Sequence, residues 1–533
     1  MTHGRMQTMT QGRDGISLAP KGARRLMGVA RRLSIVAAVF VIVALVAGTS
    51  RTSSAGGLKD TIAVTNNGAL FAGSLATFPA GTGTHAHLKP QFLIKGTNSL
   101  LSASGGPTLD SVSSLNHDIA VAVPVDFFGL SAAAFGAPVG CGPFGLPATG
   151  PLFGTGFVEI FSPTSNGNSA PQNAICSPDF AIGEDGANLA PGFPNTTGVF
   201  YPQGVAYESP FDGITPPGHQ ILAVANLFPE VIGPDSPLAA CAPTPPSTTP
   251  GASLGTITEY DTTTLAPGLN NVPPLNNSPV DAVNPLPLGG IPPVGVPGVG
   301  VLYTQNATIG GCLSLLAGPI GLAFDQFGFL FAVNNAGRLS AAQAAAPRFV
   351  TVYAPGAFGD AFPKAAIGVP ATDTAGAFKQ PISVAVMTGT LPLTCTGAPG
   401  TPGCFPDDVI FVTDLGDNSI KIYAPFTDFS FSTFFFQGTL LGTIHGPATK
   451  LKAPEGIALS ADGDTLYVAN NTVDSVSEFT DITSDEAGGN IAPTLIIQSS
   501  RSKLNLPVGV ALAGFTPTPT PSSSPTAGVL GAE

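Results

Sequence analysis

Between positions 95 and 338 the chain has no lysine and no arginine, and Asp, Glu, Lys and Arg together make up only 10% of its 533 residues. Nucleic acid is excluded as a partner on this ground, because phosphate binding needs clustered basic residues. So little charge also speaks against a chain of amphipathic helices, which use Glu and Lys heavily. There are six histidines and six cysteines, and no CxxC or Cys/His spacing suited to zinc. The nucleophile, phosphate-loop and metalloprotease patterns G-x-S-x-G, G-x-x-x-x-G-K-[ST] and H-E-x-x-H are all missing. The unbroken apolar run at 35–47 is shorter than the roughly 20 residues of a membrane span.

That run follows Arg24, Arg25, Arg31 and Arg32 and precedes the small residues of GTSRTSSAGG. A basic segment, a short apolar segment and small residues make an export signal. Residues 1–55 are therefore read as a signal peptide cut near Ala55, or as an uncleaved N-terminal anchor. Without them, 12 basic residues face 32 acidic ones, a net charge of −20. Such acidity serves solubility, or alternatively a surface that meets cations.

What the chain does have is turn formers and short apolar stretches. Gly (66) and Pro (53) are abundant and hydrophobic residues reach 43%, which fits many short strands joined by tight turns. One element, Pro-x-Gly-aliphatic-Ala, occurs as PQGVA (202–206), PIGLA (319–323), PEGIA (454–458) and PVGVA (507–511), with PISVA (381–385) as a near copy. Proline suits the first residue of a strand and glycine a close backbone approach. A second element is an apolar strand ending in Asn or Asp: TIAVTNN (61–67), QILAVAN (220–226), FLFAVNN (329–335), VIFVTD (409–414) and TLYVANN (465–471). DIAVAVP (118–124) is a sixth copy without the Asx. In the last unit SADGD (460–464) links the two elements, and Asp-Gly signals a hairpin turn. A third element ends in an aromatic, at Phe78, Phe161, Tyr260, Tyr353, Tyr423 and Phe479, expected to pack between units. A weaker fourth strand follows, as in KPQFLIKG (89–96), FPKAAIG (362–368) and APTLIIQ (492–498).

Four short strands repeated six times predict an all-β chain folded as a six-bladed β-propeller over residues 56–514. The first unit has no Pro-x-Gly strand before it, and the copy at 507–511 has no unit after it. The C-terminal strand is thus expected to complete the first blade and close the ring, leaving no open edge. Residues 515–533, rich in Pro, Thr and Ser, read as an extended, disordered tail.

The pattern P-x-G-[IV]-A … [LI]-[YF]-V-[AT]-[DN] resembles NHL-repeat six-bladed propellers, and SADGDTLYVAN (460–470) is similar to the YVTN type. The resemblance covers roughly residues 58–514, is clearest in the last three units and is degraded in the second. The blade edges lack the basic residues of NHL proteins that bind RNA, so that role is not carried over.

Cys395 and Cys404 flank TGAPGTPG, a loop that can close into a local disulfide in an oxidising compartment. Cys141–Cys176 and Cys241–Cys312 follow only by order along the chain. The residues ending the second strands, Asn66, Asn226, Asn334, Asp414 and Asn470, would converge at one channel mouth if those strands lie near the axis. Oxygen ligands there could hold Ca²⁺, an arrangement that resembles propeller lactonases and some propeller lyases. The competing reading is that Asx residues stabilise turns. His85 and His87 have metal-like spacing but no visible third ligand, while His117 and His219 precede second-element strands. GEDGAN (183–188) has a faint likeness to a calcium loop. The leading expectation is a secreted or cell-surface monomer, without cofactor or catalytic residue. It would be a scaffold for an extracellular protein or glycan and would meet a membrane only through residues 1–55. The alternative is a metal-dependent hydrolase or lyase at the channel mouth.

Overall fold

Six sheets stand where the sequence repeats six times. In the computed structural model the described residues are 61–67, 73–80, 88–96, 101, 112–115, 118–125, 155–162, 164–169, 171–176, 202–208, 220–226, 255–262, 309–310, 314–335, 348–357, 361–368, 377–392, 395, 399–430, 435–482 and 488–513. From the inside outward, blade 1 is built of Pro507–Ala513, Thr61–Asn66, Ser74–Pro79 and Phe92–Ile94. Blade 2 is Val112–Leu115, Asp118–Val125, Thr155–Phe161 and Asn173–Cys176. Blade 3 is Pro202–Tyr207, Ile221–Asn226 and Thr256–Asp261, with Ile309 bridging Ile257 on the outer side. Blade 4 is Pro319–Phe324, Leu330–Asn335, Arg348–Tyr353 and Ala365–Ile367. Blade 5 is Pro381–Met387, Val409–Asp414, Ser419–Ala424 and Thr439–Ile444. Blade 6 is Pro454–Leu459, Thr465–Asn470, Ser475–Thr480 and Leu495–Ile497.

The innermost strand is the Pro-x-Gly element in blades 1, 3, 4 and 6 and its near copy PISVA in blade 5, and each inner strand lies beside those of both neighbouring blades. The circle closes where Ile62 pairs with Leu512 and Val64 with Val510, antiparallel, so the C-terminal strand does complete blade 1. The glycine of the motif has a steric cause. A Cβ at Gly204, Gly321 or Gly456 would lie 2.5 Å from the carbonyl oxygen of Ile320, Ile382 or Val508, the residue after the motif proline in the next blade. No side chain fits in that gap, so glycine sets how tightly inner strands nest.

Packing between blades is apolar and continuous around the ring. Each third-strand aromatic is buried against the preceding blade: Phe78 on blade 6, Phe161 on blade 1, Tyr260 on blade 2, Tyr353 on blade 3, Tyr423 on blade 4 and Phe479 on blade 5. Each such ring stabilises its boundary by about 1.5–3 kcal/mol through burial alone. The SADGD turn holds blade 6 as expected, with Gly463 at φ 77 and Ser460 N–H bonded to Thr465 O at 2.8 Å.

The outer rim is laced as well. The segment leading into a blade's outer strand runs parallel to the outer strand of the blade before it: Gly167 beside Ile94, Phe436 beside Ala365 and Gly488 beside Thr443. Edge strands covered in this way offer no row of free N–H and C=O groups. At blade 4 the cover is a phenylalanine-rich hairpin, with Phe429 paired to Phe436.

Candidate functional site

The ends of the second strands were the place to look for ligands, and their geometry is uniform. The second strands lie one position out from the axis, behind the Pro-x-Gly strands. Asn66, Asn226, Asn334, Asp414 and Asn470 are each at most 1% exposed. In four of these blades the side-chain oxygen accepts the backbone N–H two residues before the motif proline: Asn505 to Asn66 at 3.2 Å, Ala317 to Asn334 at 2.8 Å, Lys379 to Asp414 at 2.8 Å and Lys452 to Asn470 at 3.0 Å. The residue after the Asx donates its own N–H to the residue just before that proline, as Asn67 to Leu506 O (3.0 Å), Asn335 to Gly318 O (2.9 Å), Leu415 to Gln380 O (2.9 Å) and Asn471 to Ala453 O (3.1 Å). The two sequence elements are thus halves of one hydrogen-bonded clasp.

The other side of the clasp reaches the third strand. Asn226, Asn334 and Asn470 donate Nδ2 to Thr258 Oγ1 (3.1 Å), Thr351 Oγ1 (3.0 Å) and Ser477 Oγ (2.9 Å), each two residues beyond the cross-strand partner of the asparagine. Blade 1 uses Ser74, directly opposite Asn66, at 3.3 Å. Blade 5 has charges instead. Lys421 occupies the threonine position, and its Nζ lies 3.1 Å from Asp414 Oδ2, bonds Ala377 O at 2.6 Å and sits 5.2 Å from the centre of the Phe378 ring. Gln380 and Gly416 add N–H donors to Asp414 Oδ1, at 2.7 and 3.1 Å. Blade 2 has neither: Val123 stands in the Asx position and Glu159 in the threonine position. Glu159 is fully buried, both its oxygens are without a hydrogen-bond partner, and burial raises its carboxyl well above the ordinary range.

Clasps also join one blade to the next. Asn418 and Asp474, in the turns after the second strands of blades 5 and 6, accept the N–H groups of Ala453 and Leu506 at 2.7 Å. Those two residues precede the motif prolines of the next blade and have φ of 47° and 51°. The left-handed region is costly for residues with a Cβ, and these bonds hold them there.

Charge of another kind gathers at the opposite end of the sheets. Asp325 opens the turn between the first two strands of blade 4, and Asp408 precedes the second strand of blade 5; each is 1% exposed. Asp325 Oδ1 accepts the N–H groups of Phe327 (2.9 Å) and Phe329 (2.7 Å), and Asp408 Oδ1 accepts that of Gly389 (2.8 Å). Burial, and then the charge of Asp408, push the Asp325 carboxyl up to about 8, and burial pushes that of Asp408 up to about 6. The sequence gives Asp408 within CFPDDV and Asp325 within FDQFGF, and neither segment repeats, so a search for repeated chemistry passes over both.

The Cys395–Cys404 disulfide is formed, with Cα atoms 4.8 Å apart, inside the insertion that carries Asp408. Cys141, Cys241, Cys312, His85, His87, His117, His219, GEDGAN (183–188) and residues 1–55 and 515–533 lie outside the described residues, as does the side chain of Cys176. Among the described residues no three His, Cys, Asp or Glu side chains converge to hold a metal ion.

No protein-family model matches the sequence, and no curated protein matches it. Solved structures similar to the chain include the periplasmic gluconolactonase of Pseudomonas aeruginosa, at 14% identity, covering 85% of this chain and 98% of that one with a TM-score of 0.36. They also include a putative 6-phosphogluconolactonase of Bacteroides fragilis, at 12% identity, 87% and 99% coverage and a TM-score of 0.33. A functionally unknown protein of Desulfotomaculum acetoxidans is similar at 11% identity, 86% and 99% coverage and a TM-score of 0.35.

Proposed function

We propose that the chain is an exported, NHL-like propeller that acts outside the cytoplasm as a monomeric binding scaffold for a protein or a glycan. The observation that carries this reading is the use of the Asx oxygens. A cation at the channel mouth would need them, and in blades 1, 4, 5 and 6 they accept the N–H groups that fix the incoming inner strands. Withdrawing them would leave buried N–H groups unpaired, at about 1–3 kcal/mol each. This use of the oxygens supports a clasp and weighs against a Ca²⁺ site, and so against the lactonase-like or lyase-like alternative. The exposed apolar side chains Phe362 (41%), Phe429 (42%) and Leu441 (40%) of blades 4 and 5 support a surface that meets a partner. The formed disulfide supports an oxidising destination.

The test is metal analysis of the full-length protein together with thermal unfolding in Ca²⁺ and in EDTA. The expected result is no stoichiometric metal and the same melting temperature in both. A site held at a hundred times its Kd would add about 2.7 kcal/mol. One bound Ca²⁺ per chain, with a higher melting temperature that Asn334→Ala removes, would overturn the scaffold reading in favour of the metal-dependent one.

A further inference from the structure

The acidic pair at the boundary of blades 4 and 5 has no part in the clasps or in the proposed binding role. The segments that carry the two carboxyls are bonded to each other: Gln326, next to Asp325, donates to Thr388 Oγ1 and to Gly389 O, and Gly389 in turn donates its N–H to Asp408. Each carboxyl is pinned by backbone N–H groups on Oδ1, from Phe327 and Phe329 on one side and Gly389 on the other. Neither can swing away without abandoning those bonds. Each leaves its buried Oδ2 without an N–H or O–H donor from the protein. No salt bridge among the described residues reaches either group. The other charge acting on the pair is Asp407, a third carboxylate, which accepts a hydrogen bond from Thr390 Oγ1 at 3.2 Å.

We propose that Asp325 and Asp408 share one proton, and that this O–H···O bond is a pH-sensitive latch holding the disulfide-bearing insertion of blade 5 (388–408) against the inner hairpin of blade 4. One proton gives one of the open oxygens a hydrogen to donate and the other a hydrogen bond to accept. It also removes one of two negative charges that would otherwise face each other where water does not screen them. The insertion is otherwise fastened to the same hairpin by longer contacts. Gln326 N–H donates to Thr388 Oγ1 at 3.3 Å, Gln326 Nε2 donates to Gly389 O at 3.4 Å, and the Phe405 ring lies 6.1 Å from that of Phe329. When the proton leaves, two buried carboxylates repel across the boundary, and moving the insertion outward is the route by which both reach water.

The direction with pH follows from proton linkage. The folded latch keeps a proton that the unfolded or opened chain releases above the ordinary carboxylate range. Its contribution is therefore complete below about pH 4 and is lost as pH rises to about 8, through the raised carboxyls of Asp408 and Asp325. The readout is local: the rate at which a water-soluble phosphine reduces Cys395–Cys404 in the full-length protein, divided by its rate on a short-peptide disulfide at the same pH to remove the titration of the phosphine, followed by alkylation and peptide mass, from pH 5 to pH 9 in EDTA. In the wild type the rate is expected to rise by about tenfold, the equivalent of one pKa unit. Asp325→Asn keeps the backbone bonds and supplies a permanent N–H donor to Asp408, so its rate should stay flat. Asp408→Asn does the same from the other side and serves if the first variant folds poorly. A wild-type rate that does not change with pH, or Asn variants that follow the same pH dependence as the wild type, would overturn the proposal.

Discussion

Blades 2 and 5 fill the same pair of positions in opposite ways. In blade 5 the second and third strands place Asp414 against Lys421, two buried charges that satisfy each other and the loop around them. In blade 2 the equivalent positions hold Val123 and Glu159, a hydrocarbon and a lone acid. The remaining blades take the neutral course of asparagine with serine or threonine. The scaffold thus accepts a polar pair of either kind, while a half-pair leaves an uncompensated group in the sheet. The lesson concerns complementarity: the clasp's strength lies in having both halves, and the charge of the halves is secondary.

The sharpest way to break this comparison is to remove one half of the charged pair. Lys421→Met strands Asp414 and the Ala377 carbonyl in a site with 0% exposure of the aspartate side chain, and is expected to lower stability by about 3–5 kcal/mol in urea titration. If complementarity is what matters, the double change Asp414→Asn with Lys421→Thr, which copies blade 4, restores most of the loss. Next in size is the repair of blade 2. Glu159→Leu removes a buried, unpartnered acid and should raise stability by about 2–3 kcal/mol near neutral pH. The gain should be larger at pH 8 than at pH 5, because the wild-type carboxyl is raised by burial and stability is lost as pH climbs above the ordinary carboxylate range. Melting curves of both proteins at the two pH values decide it, and a gain that does not depend on pH would mean that Glu159 is not held protonated. The smallest effect is expected in a neutral clasp. Asn334→Ala loses the bonds to Ala317 and Thr351, should cost about 1–2 kcal/mol, and should show no pH dependence in the same measurements.

Much of the architecture was legible before any coordinates, for physical reasons. The repeat carries it: a proline suited to begin a strand, a glycine that admits the next blade's backbone, an aromatic for each boundary. Pairing Ile62 with Leu512 follows once a unit lacking its first strand is matched with a first strand lacking its unit. The disulfide between Cys395 and Cys404 was equally plain, since a short Gly/Pro loop separates the two. The role of the Asx residues was harder to read. Their partners are an N–H 17 or 18 residues upstream in blades 4 and 6 and a hydroxyl on the next strand, and only register brings those three together. Asp325 and Asp408 are harder still, because they sit on neighbouring blades in segments that touch but do not repeat. Glu159 could have been noticed by stacking the third strands, where FVEIF has an acid at the position of a hydroxyl in TITEY and SVSEF.

The closing strand also sets an order of events. Val510 lies beside Val64 and Ala511 beside Ala63, so the sheet of blade 1 has no inner member until nearly all of the described chain has been synthesised. Sheets assembled from such distant partners form slowly. Until they do, the first and last blades remain two halves of an open arc, with the apolar faces of Phe78, Tyr467 and Leu495 waiting for each other. The seam that completes the circle is therefore also the point where the newborn chain stays unfinished longest, and where a chaperone or a competing strand would have its opportunity.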